Sequence, residues 1–219
     1  SHFFLESFYA TSQIGAILVP LNYRLVAADH EYILNHAGVK AVLVDWEYTA
    51  VVDEIRPRLQ SVRHWVVAKE SGATPAGWSD WNEVIAAAPD TPPPALELDE
   101  DDVVSINYTS GTTARPKGVM LTHRNCTINA YNMIVHLGMR HEDVELWTLP
   151  MFHCNGWGGV YALTGVAGTH VILRAIDAAL AAEIRAVWLE HKVIAFPGQT
   201  LTLEDFDRVA SHFGPWGQD

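Results

Sequence analysis

Residues 108–119 read YTSGTTARPKGV, a run rich in hydroxyl groups that lies between two apolar segments. Four of the five residues from Thr109 to Thr113 carry a hydroxyl group, and the fifth is Gly111. Two cations, Arg115 and Lys117, follow within a few residues. Convergent backbone N–H groups, hydroxyl donors and a mobile ammonium group are what a loop needs to bind phosphate oxygens. The stretch therefore predicts a phosphate-binding loop.

The order of glycine and lysine decides which kind of phosphate loop to expect. The common nucleotide-binding loop places Gly directly before Lys and opens into a helix. Here Gly118 follows Lys117, and the apolar residues 119–121 come before the next helical pattern. We therefore expect a strand, a loop and a second strand. Gly111 and Gly118 permit backbone angles closed to other residues, and Pro116 is expected to stiffen the turn. A plain Ser/Thr/Gly linker is the alternative interpretation.

The rest of the chain alternates short apolar runs with helical patterns. Strands are predicted at 39–45, 64–68, 103–109, 145–150, 170–174 and 193–196, with a short apolar run at 119–121. Helices are predicted at 48–59, 78–88, 122–138, 155–168 and 175–192. We expect Pro57 to end or bend the first helix, Ser79 or Asp80 to cap the second, and Thr122 and Gly138 to bound the third. This alternation is typical of an α/β fold with a mostly parallel sheet and flanking helices.

The domain organisation follows from one change in composition. Residues 91–102 are rich in proline and then in acidic residues, which favours a linker. We therefore divide the chain into a first α/β portion at 1–90, the linker at 91–102, and a second α/β portion at 103–200 that carries the loop. The relation of the tail, 201–219, to these portions is left open.

Composition and charge exclude several classes of function. The chain has 219 residues, 49% of them hydrophobic, and a net charge of −12. That charge argues against general binding to nucleic acid or to anionic lipid. A small anionic ligand is still allowed, because charges are screened over about 8 Å at physiological salt.

Two cysteines make neither a disulfide framework nor a metal site and favour a reducing compartment. No stretch is long and apolar enough to span a membrane, and the first residues, SHFFLESF, lack the basic start of a signal peptide.

Three blocks of sequence resemble one family. TSGTTARPKGVMLTHRN (109–125) resembles the phosphate loop of the adenylate-forming, or AMP-binding, superfamily, which includes the acyl-CoA synthetases and fatty-acid–CoA ligases. Only Ala114 departs from the family pattern, where glycine is usual. LPMFHCNGWGG (149–159) resembles the segment that lines the acyl pocket of CoA ligases, and SFYATSQIGAILVPLNYRL (7–25) resembles their upstream helix and strand. The likeness covers roughly residues 3 to 196.

The resemblance implies a reaction and a set of site residues. A carboxylate attacks the α-phosphate of ATP to give an acyl-adenylate and pyrophosphate, and the thiol of coenzyme A then displaces AMP. Medium- and long-chain fatty acids are the implied substrates, and aryl acids stay open as an alternative. Mg²⁺ is implied on the phosphates. The resemblance makes Lys117 and His153 catalytic, and it assigns the acyl substrate to Asn155, Gly156 and Trp157. The residues implied for ATP are Thr109, Ser110, Gly111, Thr112, Thr113, Lys117 and His153, with Thr109 nearest the metal.

Plainer interpretations of single residues stay open. His153 and Trp157 also fit a core histidine beside a turn and a core tryptophan, and Arg115 fits a solvated loop charge. The histidines show no metal pattern. His153 and Cys154 are adjacent and should point to opposite sides of an extended segment, which argues against a Cys–His nucleophilic pair.

The family's downstream blocks were not found in this sequence. These are a Tyr-Gly-x-Thr-Glu block, a Thr-Gly-Asp block and a small C-terminal domain with a catalytic lysine. We therefore expect the chain to be the middle of a large N-terminal domain, without the C-terminal catalytic domain. Two functions follow: an acyl-CoA synthetase that is active when complete, or a truncated, catalytically inactive nucleotide-binding fragment. A cytoplasmic location is expected, and both a monomer and a homodimer stay open.

Overall fold

The computed structural model describes residues 1–109 and 115–172. Its helices are α1 (His2–Gln13), α2 (Ala27–His36), α3 (Thr49–Ile55), α4 (Trp81–Ala87), α5 (His123–Leu137) and α6 (Gly159–Gly165). Its strands are β1 (Ala41–Asp45), β2 (His64–Ala68), β3 (Ser79–Asp80), β4 (Val103–Thr109), β5 (Lys117–Thr122), β6 (Val144–Trp147) and β7 (Thr169–Ile172). The alternation of strands and helices confirms the predicted α/β class.

The chain divides into two compact units, one formed by His2–Cys126 and the other by Thr127–Asp219 together with Ser1. Residues 91–102, the expected linker, contain neither a helix nor a strand. The division into domains at 1–90, 91–102, 103–200 and 201–219 stays a prediction.

A parallel three-stranded sheet forms the centre of the first unit. Its strand order is β1-β2-β3, with Leu43 opposite Val66 and Val67 opposite Asp80. Burying apolar side chains of this size stabilises a fold by about 1.5–3 kcal/mol each. The core against the sheet consists of Leu34, Val42, Val52, Ile55, Leu59, Val62, Val67 and Trp78.

Strands β4 and β5 form an antiparallel pair within the same unit. The other edge of β4 is joined by Leu18, whose N–H donates to Val104 O and whose carbonyl accepts from Ile106 N–H. The segment between β4 and β5 is the predicted phosphate loop, so the expectation of a strand, a loop and a second strand is confirmed.

A two-stranded parallel sheet, β6-β7, lies in the second unit. Trp147 of β6 is fully buried, as are Val160, Ala162 and Leu163 of α6. Trp147 lies against Gly156 and Gly159, in the segment that follows β6.

The predicted helix boundaries hold where a cap defines them. Asp80 accepts hydrogen bonds from the N–H groups of Asn82 and Glu83 at the start of α4. Thr122 Oγ1 accepts from Asn125 N–H, and Asn125 Oδ1 accepts from Thr122 N–H, which is a reciprocal cap at the start of α5. Gly138 has a φ of +62° just after α5, as a C-terminal glycine should.

Other predicted elements are shorter than expected. Helix α3 ends at Ile55, and Pro57 lies in the 3₁₀ turn Arg56–Arg58 that follows, as expected for proline. The strand predicted at 145–150 ends at Trp147, and the helix predicted at 155–168 is a 3₁₀ turn followed by the seven residues of α6. The helix at 175–192, the strand at 193–196 and the tail at 201–219 lie outside the described residues.

Candidate functional site

Thr109 and Lys117 lie at the two ends of the predicted phosphate loop. They are the last pair of the β4–β5 register, so their backbones lie opposite one another. Both residues are exposed, and within the described part of the chain no ion pair occupies Lys117. The strands therefore hold a hydroxyl group and an ammonium group opposite each other at the mouth of the loop. Ser110, Gly111, Thr112 and Thr113, four of the predicted ATP-binding residues, lie outside the described residues, as does Ala114.

Gly118 contributes space rather than an unusual backbone angle. It pairs with Tyr108 in the ladder and does not have a positive φ, so the backbone freedom that glycine permits is not used at this position. A Cβ atom at this position would lie 2.8 Å from Ile106 Cγ2 and 3.2 Å from Tyr108 Cζ. The missing side chain lets the Tyr108 ring lie across β5.

Helix α2 contributes two aromatic side chains to the loop, and sequence reasoning missed both. His36 Nδ1 and Tyr108 Oη form a 2.6 Å hydrogen bond just before the loop. Just after the loop, the Arg115 guanidinium lies 5.2 Å from the centre of the Tyr32 ring. Arg115 is thus exposed but stacked on an aromatic ring, and is not only a solvated charge.

The Tyr108 hydroxyl stays protonated in this environment. Burial and the neighbouring Tyr32 both raise the pKa of Tyr108 above its ordinary value of 10.0. A neutral phenol can donate or accept a hydrogen bond. Near neutral pH the phenol therefore keeps the proton that it can share with His36.

The segment predicted to line an acyl pocket contains a run of left-handed backbone. Positive φ angles occur at Cys154 (50°), Asn155 (50°), Gly156 (58°), Trp157 (60°) and Gly158 (83°). Non-glycine residues adopt this conformation rarely, at a cost of about 1–3 kcal/mol each. Such strain persists only where the surrounding structure fixes it, and it is found most often at functional sites.

Neighbouring side chains fix this left-handed run. A Cβ atom on Gly156 would lie 2.6 Å from Trp147 Cζ3, so the glycine packs directly on the indole ring. Asn129 Nδ2 donates to the carbonyl of Trp157 at 2.8 Å. Trp147 Nε1 in turn donates to His170 Nδ1 at 2.8 Å, and the two rings are stacked at an interplanar angle of 5°.

The run sends its side chains in different directions. Asn155 is 1% exposed, whereas Trp157 is 68% exposed. His153 is exposed as well. The alternative interpretations of His153 and Trp157 as core residues are therefore wrong.

One geometric argument from the sequence also fails. His153 and Cys154 were expected to point apart, but the positive φ of Cys154 turns the chain. Cys154 Sγ lies 3.7 Å from His153 Nε2, and Cys154 is exposed. The two side chains are neighbours, although this contact alone does not make a nucleophilic pair.

Glu145 on β6 is a half-buried carboxyl group that sequence reasoning did not single out. Burial raises its pKa from 4.5 to about 7, since a low-dielectric environment disfavours the charged form. Its carboxyl group lies close to Gly159, where a Cβ atom would be 3.6 Å from Oε1.

The described residues fit a metal ion that is held mainly by the phosphates of a bound substrate and only in small part by the protein. Among residues 1–109 and 115–172, no three His, Cys, Asp or Glu side chains are grouped so that they could hold a metal ion. Mg²⁺ commonly keeps several waters and is shared between substrate phosphates and one or two protein oxygens. The exposed Thr109 hydroxyl suits that arrangement. Over the same residues, no helix has the length and apolar character needed to cross a membrane.

Comparison with known proteins gives consistent results. The family of AMP-binding enzymes matches residues 1–212. The peroxisomal butyrate–CoA ligase of Arabidopsis thaliana is 36% identical to this chain, over 79% of the chain and 32% of the relative. The long-chain-fatty-acid–CoA ligase of Thermus thermophilus is 34% identical, over 77% of the chain and 30% of the relative. This chain thus spans about a third of the length of these relatives.

A solved structure extends the similarity to the fold. The anthranilate–CoA ligase, crystallised with anthranoyl-AMP, superposes with a TM-score of 0.73 at 28% identity. The match covers 85% of this chain and 36% of that protein. The described α/β architecture is therefore that of part of a CoA-ligase structure.

Proposed function

Because the chain belongs to the family of AMP-binding enzymes, we propose that it serves ATP-dependent activation of a carboxylic acid. The acid's oxygen forms a bond to the α-phosphorus of ATP while the bond to pyrophosphate breaks. The sulfur of coenzyme A then bonds to the acyl carbon, the thiol proton is lost, and AMP leaves. One observation carries this proposal: exposed Thr109 and Lys117 stand opposite each other at the mouth of a hydroxyl-rich loop.

The loop would stabilise charge on the departing pyrophosphate. Lys117 supplies a positive charge, and the hydroxyl and N–H groups of residues 109–113 supply hydrogen-bond donors. Catalysis of phosphoryl-type transfer depends mainly on such positioning and charge stabilisation. Mg²⁺, when bound with ATP, would neutralise charge on the phosphates, and Thr109 is the loop hydroxyl that would hold it.

The left-handed segment would serve the acyl side of the reaction. We assign His153 to the nucleotide and to catalysis, and Asn155, Gly156 and Trp157 to acyl binding. The support is that the chain accepts three non-glycine residues with positive φ there, and so exposes Trp157 next to a buried Asn155.

Medium- or long-chain fatty acids are the substrates we propose. The relatives named above act on butyrate and on long-chain fatty acids, and the solved structure is that of an anthranilate enzyme. A panel of short, long and aromatic acids therefore decides the substrate class. We also propose a cytoplasmic location, although the Arabidopsis relative is named peroxisomal. Both a monomer and a homodimer stay open.

A second function has its own support. The chain spans about a third of the length of its relatives, so it could bind nucleotide without completing the reaction. Catalysis and binding alone are separable by experiment.

Trapping of the acyl-adenylate with hydroxylamine is the decisive test. The chain is incubated with ATP, Mg²⁺ and the acid panel, and hydroxamate formation is measured. We expect Lys117→Ala to lower the rate by about 10²–10³, the loss typical of removing one preorganised donor. Lys40→Ala, which removes an exposed lysine before β1, should leave the rate unchanged.

Three results would contradict parts of this proposal. Equal rates for Lys117→Ala and the unchanged chain would disprove the assigned role of the lysine. Hydroxamate formation by a longer chain containing this sequence, but not by the 219 residues, would favour the binding-only alternative. Absence of both activity and MgATP binding would overturn both.

A further inference from the structure

The last turns of α2 present two aromatic side chains on one face. Tyr32 and His36 are four residues apart, a spacing that places side chains next to each other on a helix. Their rings are 5.3 Å apart between centroids. The two residues therefore form a small aromatic platform at the end of the helix.

This platform contacts the chain just before the phosphate loop. His36 Nδ1 is 2.6 Å from Tyr108 Oη, and the two rings meet edge to face with centroids 5.8 Å apart. On its other side, the Tyr108 ring lies across Gly118, where a Cβ atom would come within 3.2 Å of Tyr108 Cζ. The ring is thus fixed between α2 and β5. Thr109, its neighbour in sequence, is the first residue of the loop.

The same platform contacts the chain just after the loop. The Arg115 guanidinium lies 5.2 Å from the centre of the Tyr32 ring, within the range in which a cation is attracted by the face of an aromatic ring. Arg115 precedes Lys117 by two residues. One helix therefore touches both arms of the loop.

We propose that Tyr32 and His36 are positioning residues that hold the two arms of the phosphate loop and set the placement of Thr109 and Lys117. This inference rests on the proposed function, in which those two residues meet phosphate and metal. Neither aromatic side chain needs to touch the ligand. Their effect is to reduce the number of conformations that Thr109 and Lys117 must give up when phosphate binds.

Hydrogen exchange and nucleotide affinity test the inference together. The variants are His36→Phe and Tyr108→Phe, each of which keeps an aromatic ring and removes the hydrogen bond. His64→Phe, at an exposed position of β2, and Tyr23→Phe, whose hydroxyl accepts from Arg24, are matched controls. Amide exchange is followed over residues 103–122 in the 219-residue chain, and the dissociation constants of MgATP and of inorganic pyrophosphate are measured by calorimetry.

We expect His36→Phe and Tyr108→Phe each to speed exchange in 103–122 and to weaken MgATP binding by about fivefold, as for loss of one hydrogen bond. The double variant should bind MgATP no more weakly than either single variant, because the two residues share one hydrogen bond. The controls should match the unchanged chain in both measurements.

The opposing outcomes are distinct. Unchanged exchange in both variants overturns the inference whether or not nucleotide binds. Faster exchange with unchanged affinities shows a purely structural contact and also overturns it. Failure of the unchanged chain to bind either MgATP or pyrophosphate overturns the proposed function instead, and with it any role of the platform in phosphate binding.

Discussion

Glu145 shows how burial sets the behaviour of a single carboxyl group. Its pKa is raised from 4.5 to about 7 by burial, so the folded state disfavours the charged form. The sign follows directly: the stability associated with protonated Glu145 is complete below about pH 4.5. This contribution to the free energy of unfolding is lost as the pH rises through about 7, and above that pH it does not change further.

Substitution by glutamine tests this prediction. Glu145→Gln keeps the shape and removes the charge, so it should raise the free energy of unfolding above pH 7. The difference from the unchanged chain should shrink steadily as the pH falls to 4.5. Half-buried His170, whose pKa is lowered by burial, acts in the opposite sense below pH 6.5, so the difference between the two proteins is the quantity to measure. A constant difference from pH 4.5 to 8 in urea titrations would contradict the prediction.

The left-handed run at 154–158 is the element whose geometry depends most on glycine. Gly156 needs both a positive φ and room beside Trp147. Gly138 has a similar φ of +62°, but nothing lies within 4 Å of a Cβ atom there. A comparison of substitutions at Gly138 and Gly156 therefore separates the cost of backbone strain from the cost of crowding.

We expect Gly138→Ala to lower the free energy of unfolding by about 1–2 kcal/mol through strain alone. Gly156→Ala should lower it by about 1–3 kcal/mol more, because its methyl group would overlap the indole ring. Denaturant unfolding followed by tryptophan fluorescence measures both. Equal losses in the two variants would mean that the run relaxes away from Trp147 without penalty.

At the scale of the whole molecule, the features that could be predicted are those that depend on neighbouring residues in the sequence. Strand β2 was predicted with its observed ends, because the short apolar run at 65–68 contains two valines and lies between polar residues. The caps at Asp80, Thr122 and Gly138 were predicted because each depends on a side chain or a glycine at a fixed position. The two strands around the loop followed from the order of Lys117 and Gly118.

The missed features depend on contacts between distant segments. Helix α2 was not predicted, although its buried residues His30, Ile33 and Leu34 have helical spacing and Gly38 follows it. The role of Gly118 depends on a ring from another strand, and no local pattern reveals it. The positive φ angles of Cys154 and Trp157 oppose their local preference, so only packing against Trp147 and Asn129 explains them.

Ligand binding should be visible in the stability of the whole chain, whether or not the reaction is completed. A ligand that binds only the folded state raises the free energy of unfolding by about 1.4 kcal/mol for each tenfold increase in its concentration above the dissociation constant. We therefore expect the melting temperature to rise with the logarithm of MgATP concentration. Lys117→Ala should reduce this rise, whereas Lys40→Ala should not. An equal rise in all three proteins would place the nucleotide away from Lys117, and the loop would then lose its proposed role even if hydroxamate were formed.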